Sequence, residues 1–188
     1  MTPPDPRAAR SREAVLVAAR ELLLRHGPAA VTHQRVAEQA GVGRATVYRH
    51  WARAELLLLD VMAGADLPFF REPRSPVRPW LHAQLRLLAA DLAQPEVRAV
   101  ALTLMHGALW DTHLAEQRDL FVATLTDRLG AALALAAGTG EAAGLPGADE
   151  AAALVAGAVL YRTAMQNGTV SDAFLTRLID GLATWRAG

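Results

Sequence analysis

Residues 32–51 read THQRVAEQAGVGRATVYRHW, and the pattern is a helix, a tight turn and a second helix. The hydroxyl of Thr32 suits a helix cap, since it accepts a backbone N–H of the opening turn. Val36, Ala37 and Ala40 recur at helical spacing and make one apolar face. Gly41 stands where a helix ends on a left-handed residue. Val42 then drops inward, and Gly43 takes the N-cap of the second helix. Val47 and Trp51, four apart on that helix, point inward. At about 100° per residue, Ala45 and Arg49 face the other way, with Thr46 and Tyr48 on the flanks. A nine-residue helix showing Arg, Thr, Tyr, Arg and His outward suits a polyanion, whose phosphates accept hydrogen bonds from all of them. Arg44 lies in the first turn, the part of a recognition helix that reaches base edges in a major groove.

Upstream, Val15, Ala18, Ala19, Leu22 and Leu23 form an amphipathic stripe that predicts a helix from about Ser11 to His26, stopped by Gly27-Pro28. Residues 1–10, rich in Pro and Arg, are expected to be a disordered arm, with Arg7, Arg10 and Arg12 within reach of phosphates or a minor groove. Downstream, Leu56, Leu57, Leu58, Leu59, Val61 and Met62 predict a fourth helix, about Arg53 to Ala63, apolar nearly all round and therefore buried on two sides. Such a helix would link this unit to whatever follows.

Residues 11–60, and AGVGRATVYRHW above all, resemble the DNA-binding motif of the tetracycline-repressor (TetR) family of transcriptional regulators. Two departures mark this copy. Gly43 stands where the family usually has Ser or Thr, and only Ala52 separates Trp51 from Arg53, where two residues are usual. The resemblance implies base readout by Gln34, Arg44, Ala45 and Arg49, and phosphate contacts from Thr32, Thr46, Tyr48, His50 and Arg53.

Charge is distributed to match. Net charge is zero, but residues 1–53 hold nine Arg against four acids and residues 54–188 ten Arg against fifteen acids. A basic segment joined to an acidic one fits a nucleic-acid reader attached to something else. With no Cys, disulfides, thiolate nucleophiles and cysteine metal sites are excluded. The amino terminus has no apolar core of a secretory signal. The longest uninterrupted apolar run, Ala151 to Tyr161, is too short for a bilayer, which needs about 20 residues. The expectation is a cytoplasmic protein with no membrane partner.

Residues 67–79, LPFFREPRSPVRP, read as a loop anchored by Phe69 and Phe70, and the domain boundary is placed near residue 65. The expected domains are thus the arm 1–10, a helix-turn-helix domain over 11–65 and a helical domain over 66–188. The latter reads as five helices: about Val77 or Trp80 to Ala93, with Leu81, Leu85, Leu88 and Leu92 inward; Pro95 to Leu109; Asp111 to Ala137; after the linker GTGEAAGLPGAD (residues 138–149), Asp149 to Asn167, with Asp149 as its cap; and one capped by Ser171 or Asp172 and ending near Trp185. The fold class is all-α, with about nine helices. This half resembles, weakly, the regulatory domain of the TetR family, whose last two helices pair with those of a second chain. Independently, Ala153, Gly157, Leu160 and Ala164 make a small-residue stripe. Phe174, Leu178, Leu182 and Trp185 make an apolar one, widened by Leu175 and Ile179 beyond what a single partner needs.

Thr103, His106, Trp110 and His113, near the junction of the sixth and seventh helices, suggest a mostly apolar ligand pocket with a few polar groups. Trp80, His82, Phe121 and Tyr161 are candidates to complete it, and in the resembling family this region binds a small-molecule effector. His106, Asp111 and His113 have side chains suited to a metal, and a helix break expected between them argues against their meeting round one. Gly138-Thr-Gly-Glu-Ala-Ala143 matches a dinucleotide fingerprint but follows a helical run rather than a strand. No nucleophile motif, phosphate loop or paired carboxylates are recognisable. No catalytic residue, metal or cofactor is therefore expected. The resemblance implies a homodimeric, ligand-responsive regulator, usually a repressor, on a palindromic operator. The alternative is an all-helical small-molecule-binding protein or enzyme with a vestigial helix-turn-helix.

Overall fold

The computed structural model describes residues 6–63 and 68–186. Among them are nine helices and a single two-stranded pairing. Contacts divide the chain into two units. The first holds helices α1 to α4 together with residues 99–106, and the second holds residues 68–98 and 107–188. The boundary expected near residue 65 falls outside the described residues.

In the first unit α1 spans Pro6–His26. Helix therefore begins within the segment expected to be a disordered arm, and residues 1–5 of that arm lie outside the described residues. Its Ala and Arg are good helix formers, and the stripe Val15, Ala18, Ala19 and Leu22 is buried. A 3-10 turn over Pro28–Ala30 leads to α2, His33–Ala40. Helix α3 covers Arg44–His50 and α4 covers Ala54–Ala63. Val15, Ala19, Val36, Ala37, Val47 and Trp51 are buried, where α1, α2 and α3 meet. Leu57, Leu58, Leu59 and Val61 are all buried too, more than one stripe of α4, as its sequence predicts.

In the second unit α5 is Val77–Ala93, α6 is Pro95–Gly107 (its residues 99–106 counting with the first unit), and α7 is Thr112–Gly138. A helical run over residues 148–165, α8, bonds with π-type spacing over Ala153–Gly157 and Tyr161–Met165. Helix α9 is Asp172–Asp180. Helix α5 packs on α7, α8 and α9 through Leu81, Leu85, Leu88 and Leu92, the four leucines expected to face inward. Phe69 and Phe70 are buried, and the loop holding them is tied by Phe70 N–H to Gln84 Oε1 (2.7 Å) and by Arg128 to the Phe69 carbonyl (2.9 Å). By length and composition α7 is long and apolar enough to cross a membrane. Asp127 and Arg128 interrupt its apolar run, and Leu125, Leu129, Ala132, Leu133 and Ala136 face the core of the unit.

Three expectations for this half are corrected. Asp149 does not cap α8; Gly147 is the N-cap, and Asp149 sits in the first turn. The last helix stops at Asp180, not near Trp185. Beyond it Thr184–Trp185 forms strand β2, which pairs antiparallel with β1, Ala142–Ala143, inside the expected linker. The Trp185 indole donates to the Ile179 carbonyl at 2.8 Å. That bond and the strand pairing satisfy backbone groups that a longer helix would have used.

Candidate nucleic-acid interface

The turn between α2 and α3 is built from its caps. Thr32 Oγ1 accepts the Arg35 N–H at 3.3 Å. Gly41 has φ 65°, a conformation costly for residues with a Cβ. The Gly41 N–H reaches the Glu38 carbonyl and the Val42 N–H the Ala37 carbonyl, the paired bonds of a Schellman ending. Gly43, extended, caps α3, and Trp51 closes it through a bond to the Val47 carbonyl. The expected nine-residue helix is thus seven helical residues between two caps.

With Val47 and Trp51 buried, the other side of α3 is left outward. Arg44, Ala45, Tyr48, Arg49 and His50 are exposed there, Thr46 is half-buried, and Thr32, Gln34 and Arg53 are exposed around it. All nine candidates belong to the first unit. Gln34 donates to Glu38 at 3.1 Å and Arg49 to Thr46 at 3.4 Å. The Arg53 carbonyl accepts the Leu56 and Leu57 N–H groups, so its backbone opens α4 while its side chain stays exposed.

Behind this face lies a network that the sequence reading missed. His33 is 7 % exposed. Its Nε2 lies 2.7 Å from the Trp51 carbonyl, and its ring is stacked on Tyr48, with centroids 4.1 Å apart and planes within 6°. The Trp51 indole donates to Asp60 Oδ2 at 2.9 Å. Arg12 binds the same oxygen at 2.7 Å and lies over the indole. Arg12 therefore braces the unit instead of belonging to a free arm. A signal for His33 was present: it shares the spacing i, i+3, i+4, i+7 with Val36, Ala37 and Ala40.

The residues expected to gather round a ligand are divided between the two units. Thr103 and His106 fall in the first unit, and Trp80, Trp110, His113, Phe121 and Tyr161 in the second. Trp110 is 82 % exposed, because Gly107 ends α6 and Asp111 caps α7, leaving the indole on the turn between. His106 and His113 are exposed. Asp111 spends its carboxylate on the His113 and Leu114 N–H groups. Tyr161 is 56 % exposed, since α8 buries Val155, Val159 and Thr163 on the opposite side. A half-open cleft of about 560 Å³ in the second unit is lined instead by Pro76, Pro79, Ile179, Trp185 and their neighbours; of the expected residues only His82 borders it.

On the last two helices, Ala153 and Gly157 are exposed and Leu160 and Ala164 half-buried. Phe174 and Leu178 are half-buried. Leu182, 3 % exposed, belongs to the second unit's own core, and Trp185 packs against the cluster of Val77, Ala132, Ala136 and Ala142. These two are therefore not part of an outward helical stripe. Both follow the end of α9, past which helical spacing no longer holds.

A family model described as bacterial regulatory proteins, tetR family, matches residues 15–61. A second, tetracyclin repressor-like, C-terminal domain, matches residues 77–182, more than half of the chain. The chain belongs to the TetR family. Its TetR-family relative SCO0332, a transcription regulator of known crystal structure, is 29% identical and superposes with a TM-score of 0.62, covering 92% of this chain and 96% of that one. GusR of Salmonella enterica (21% identical, TM-score 0.57, covering 97% and 96%) shares the TetR fold. So does NalD, the secondary repressor of a multidrug efflux pump in Pseudomonas aeruginosa (21%, TM-score 0.53, 94% and 98%). An uncharacterized HTH-type transcriptional regulator of Bacillus subtilis, YdeS, is 40% identical over 55 residues, 29% of this chain and 28% of its own length. As a TetR-family member the chain is a DNA-binding transcription regulator of the helix-turn-helix type.

Proposed function

We propose that the chain works as a homodimer, each subunit laying α3 in the major groove of one half of a palindromic operator, and that it is a cytoplasmic repressor released by a small molecule. The observation that carries the reading is the outward face of α3. Arg44, Ala45 and Arg49, with Gln34 of α2, stand where base edges are read. Thr32, Thr46, Tyr48, His50 and Arg53 surround them with donors for phosphate.

Dimerisation is supported by the outward side of α8. Leu154, Tyr161 and Met165 are exposed there beside Ala153 and Gly157. Large apolar groups in water around a small-residue stripe mark a surface for a partner, and a second copy suits it because two-fold operators demand two-fold proteins. The effector is mostly apolar with one or two hydrogen-bonding groups. A release of about a hundredfold requires a coupling of about 2.7 kcal/mol, and operator DNA then weakens effector binding by the same factor.

Selection of bound sequences from a random duplex pool tests the reading. The expected products are inverted repeats whose half-sites lie about one helical turn apart, or a multiple of it. Products without an inverted repeat would overturn the dimeric operator model.

A further inference from the structure

We infer that His33 is a positioning residue for DNA binding: it holds the Tyr48 ring so that the phenol is presented to the phosphate backbone before DNA arrives. The inference rests on the DNA-binding reading above and assigns a task to a side chain outside the outward face.

A carbonyl only accepts, so with Nε2 2.7 Å from the Trp51 carbonyl the proton sits on Nε2 and the ring donates it. The Trp51 carbonyl follows the last turn of α3, where carbonyls lack a partner inside the helix. One hydrogen bond thus closes the recognition helix and fixes the plane of the imidazole. Tyr48, one turn before the cap, lies flat on that plane while remaining 47 % exposed. A half-exposed tyrosine is ordinarily free to change rotamer. Here one face of its ring is covered, which removes rotamers that would swing the phenol away. The plane is itself anchored. The Trp51 indole is bonded to Asp60 of α4, and Asp60 also holds Arg12 of α1. Tyr48 is therefore set by α1, α2 and α4 together, although it belongs to α3.

Ordering a side chain in advance spares its cost on binding, so losing the stack should weaken duplex binding about three- to tenfold. The test is a double-mutant cycle on the full chain. His33→Gln keeps a donor for the Trp51 carbonyl and removes the ring. Tyr48→Phe keeps the stack and removes the hydroxyl. Affinity for a selected duplex is measured by fluorescence anisotropy, and the thermal midpoint by circular dichroism. His33→Gln is expected to weaken binding in the Tyr48 background and to add nothing in the Tyr48→Phe background. The thermal midpoint should fall by the same amount in both. Equal losses of affinity in the two backgrounds would make His33 a merely structural residue and overturn the inference. His33→Phe, which restores an aromatic plane, should recover affinity to within about twofold of the unaltered chain; a loss as large as that of His33→Gln would overturn the stacking role. If His33→Gln does not fold, ring-proton NMR of the unaltered chain decides. Tyr48 resonances shifted upfield by the imidazole, free and on duplex, support the inference, and unshifted ones overturn it. Failure of the unaltered chain to bind any duplex would sink the DNA-binding reading itself, an outcome separate from binding with equal losses.

Discussion

Arg44 and Tyr48 stand one turn apart on the same short helix, and their substitutions are expected to fail differently. Arg44, exposed in the first turn of α3, has a planar fork that matches the two acceptors of guanine. Arg44→Ala should cost about 1–3 kcal/mol on the preferred duplex and relax preference at one position per half-site. Tyr48→Phe should weaken all sequences alike, because a phosphate contact holds no base information. Repeating the duplex selection with each variant separates the two; a uniform loss for Arg44→Ala would reassign it to the phosphates. At this scale the outward side chains could be read from sequence, since helical spacing alone puts them opposite Val47 and Trp51. The His33–Tyr48 stack could not. Spacing shows that His33 lies on the inner side of α2, but which ring it meets depends on how α3 crosses α2.

Among the elements, the turn at Gly41 and the clip at Glu141 lead to separate expectations. Gly41→Ala puts a Cβ on a residue with φ 65°, which costs about 1–2 kcal/mol, and the thermal midpoint measured by calorimetry should fall accordingly. The clip lies in the second unit. The Glu141 carboxylate accepts from the Ser75 hydroxyl, the Val77 N–H and the Thr139 hydroxyl. The Glu141 carbonyl accepts the Arg186 N–H at 2.8 Å. The bonds from Ser75 and then Val77 hold the Glu141 pKa below the ordinary glutamate value. A carboxyl with a lowered folded pKa stabilises the fold above its unfolded pKa, and that contribution disappears as pH falls through the folded value. Glu141→Gln should therefore lower the thermal midpoint at neutral pH, and the gap from the unaltered chain should close on acidification below the ordinary glutamate range. A gap that does not change with pH would show that the carboxylate's charge is immaterial. The sequence marked residues 138–149 as a linker between two helical runs. Three donors converging on Glu141 from as far as Ser75 leave no trace in local pattern.

For the whole molecule the expectation concerns assembly. Leu154→Glu combined with Tyr161→Glu places charge on the exposed side of α8, where neither side chain supports the protomer core. Light scattering should show a monomer with an unchanged helical spectrum. Operator affinity should fall about a hundredfold or more, because the second half-site is no longer tethered. A dimer that persists would move the interface elsewhere. In the unaltered protein, each phosphate neutralised should add about −0.9 to the slope of log affinity against log salt. The basic 1–53 segment and the acidic remainder are properties of the chain alone, and so are the helical periods, the caps at Thr32 and Gly41, and the inward leucines of α5. Each depends on neighbours within about one or two turns, and local chemistry is what a linear string records. The C-terminal end of α9, the packing of Leu182 and Trp185, and the partners of Arg12 and His33 were decided by tertiary structure. Each of these depends on which distant backbone carbonyl, carboxylate or ring fills the remaining valence of a side chain, and helical periodicity holds no information about that.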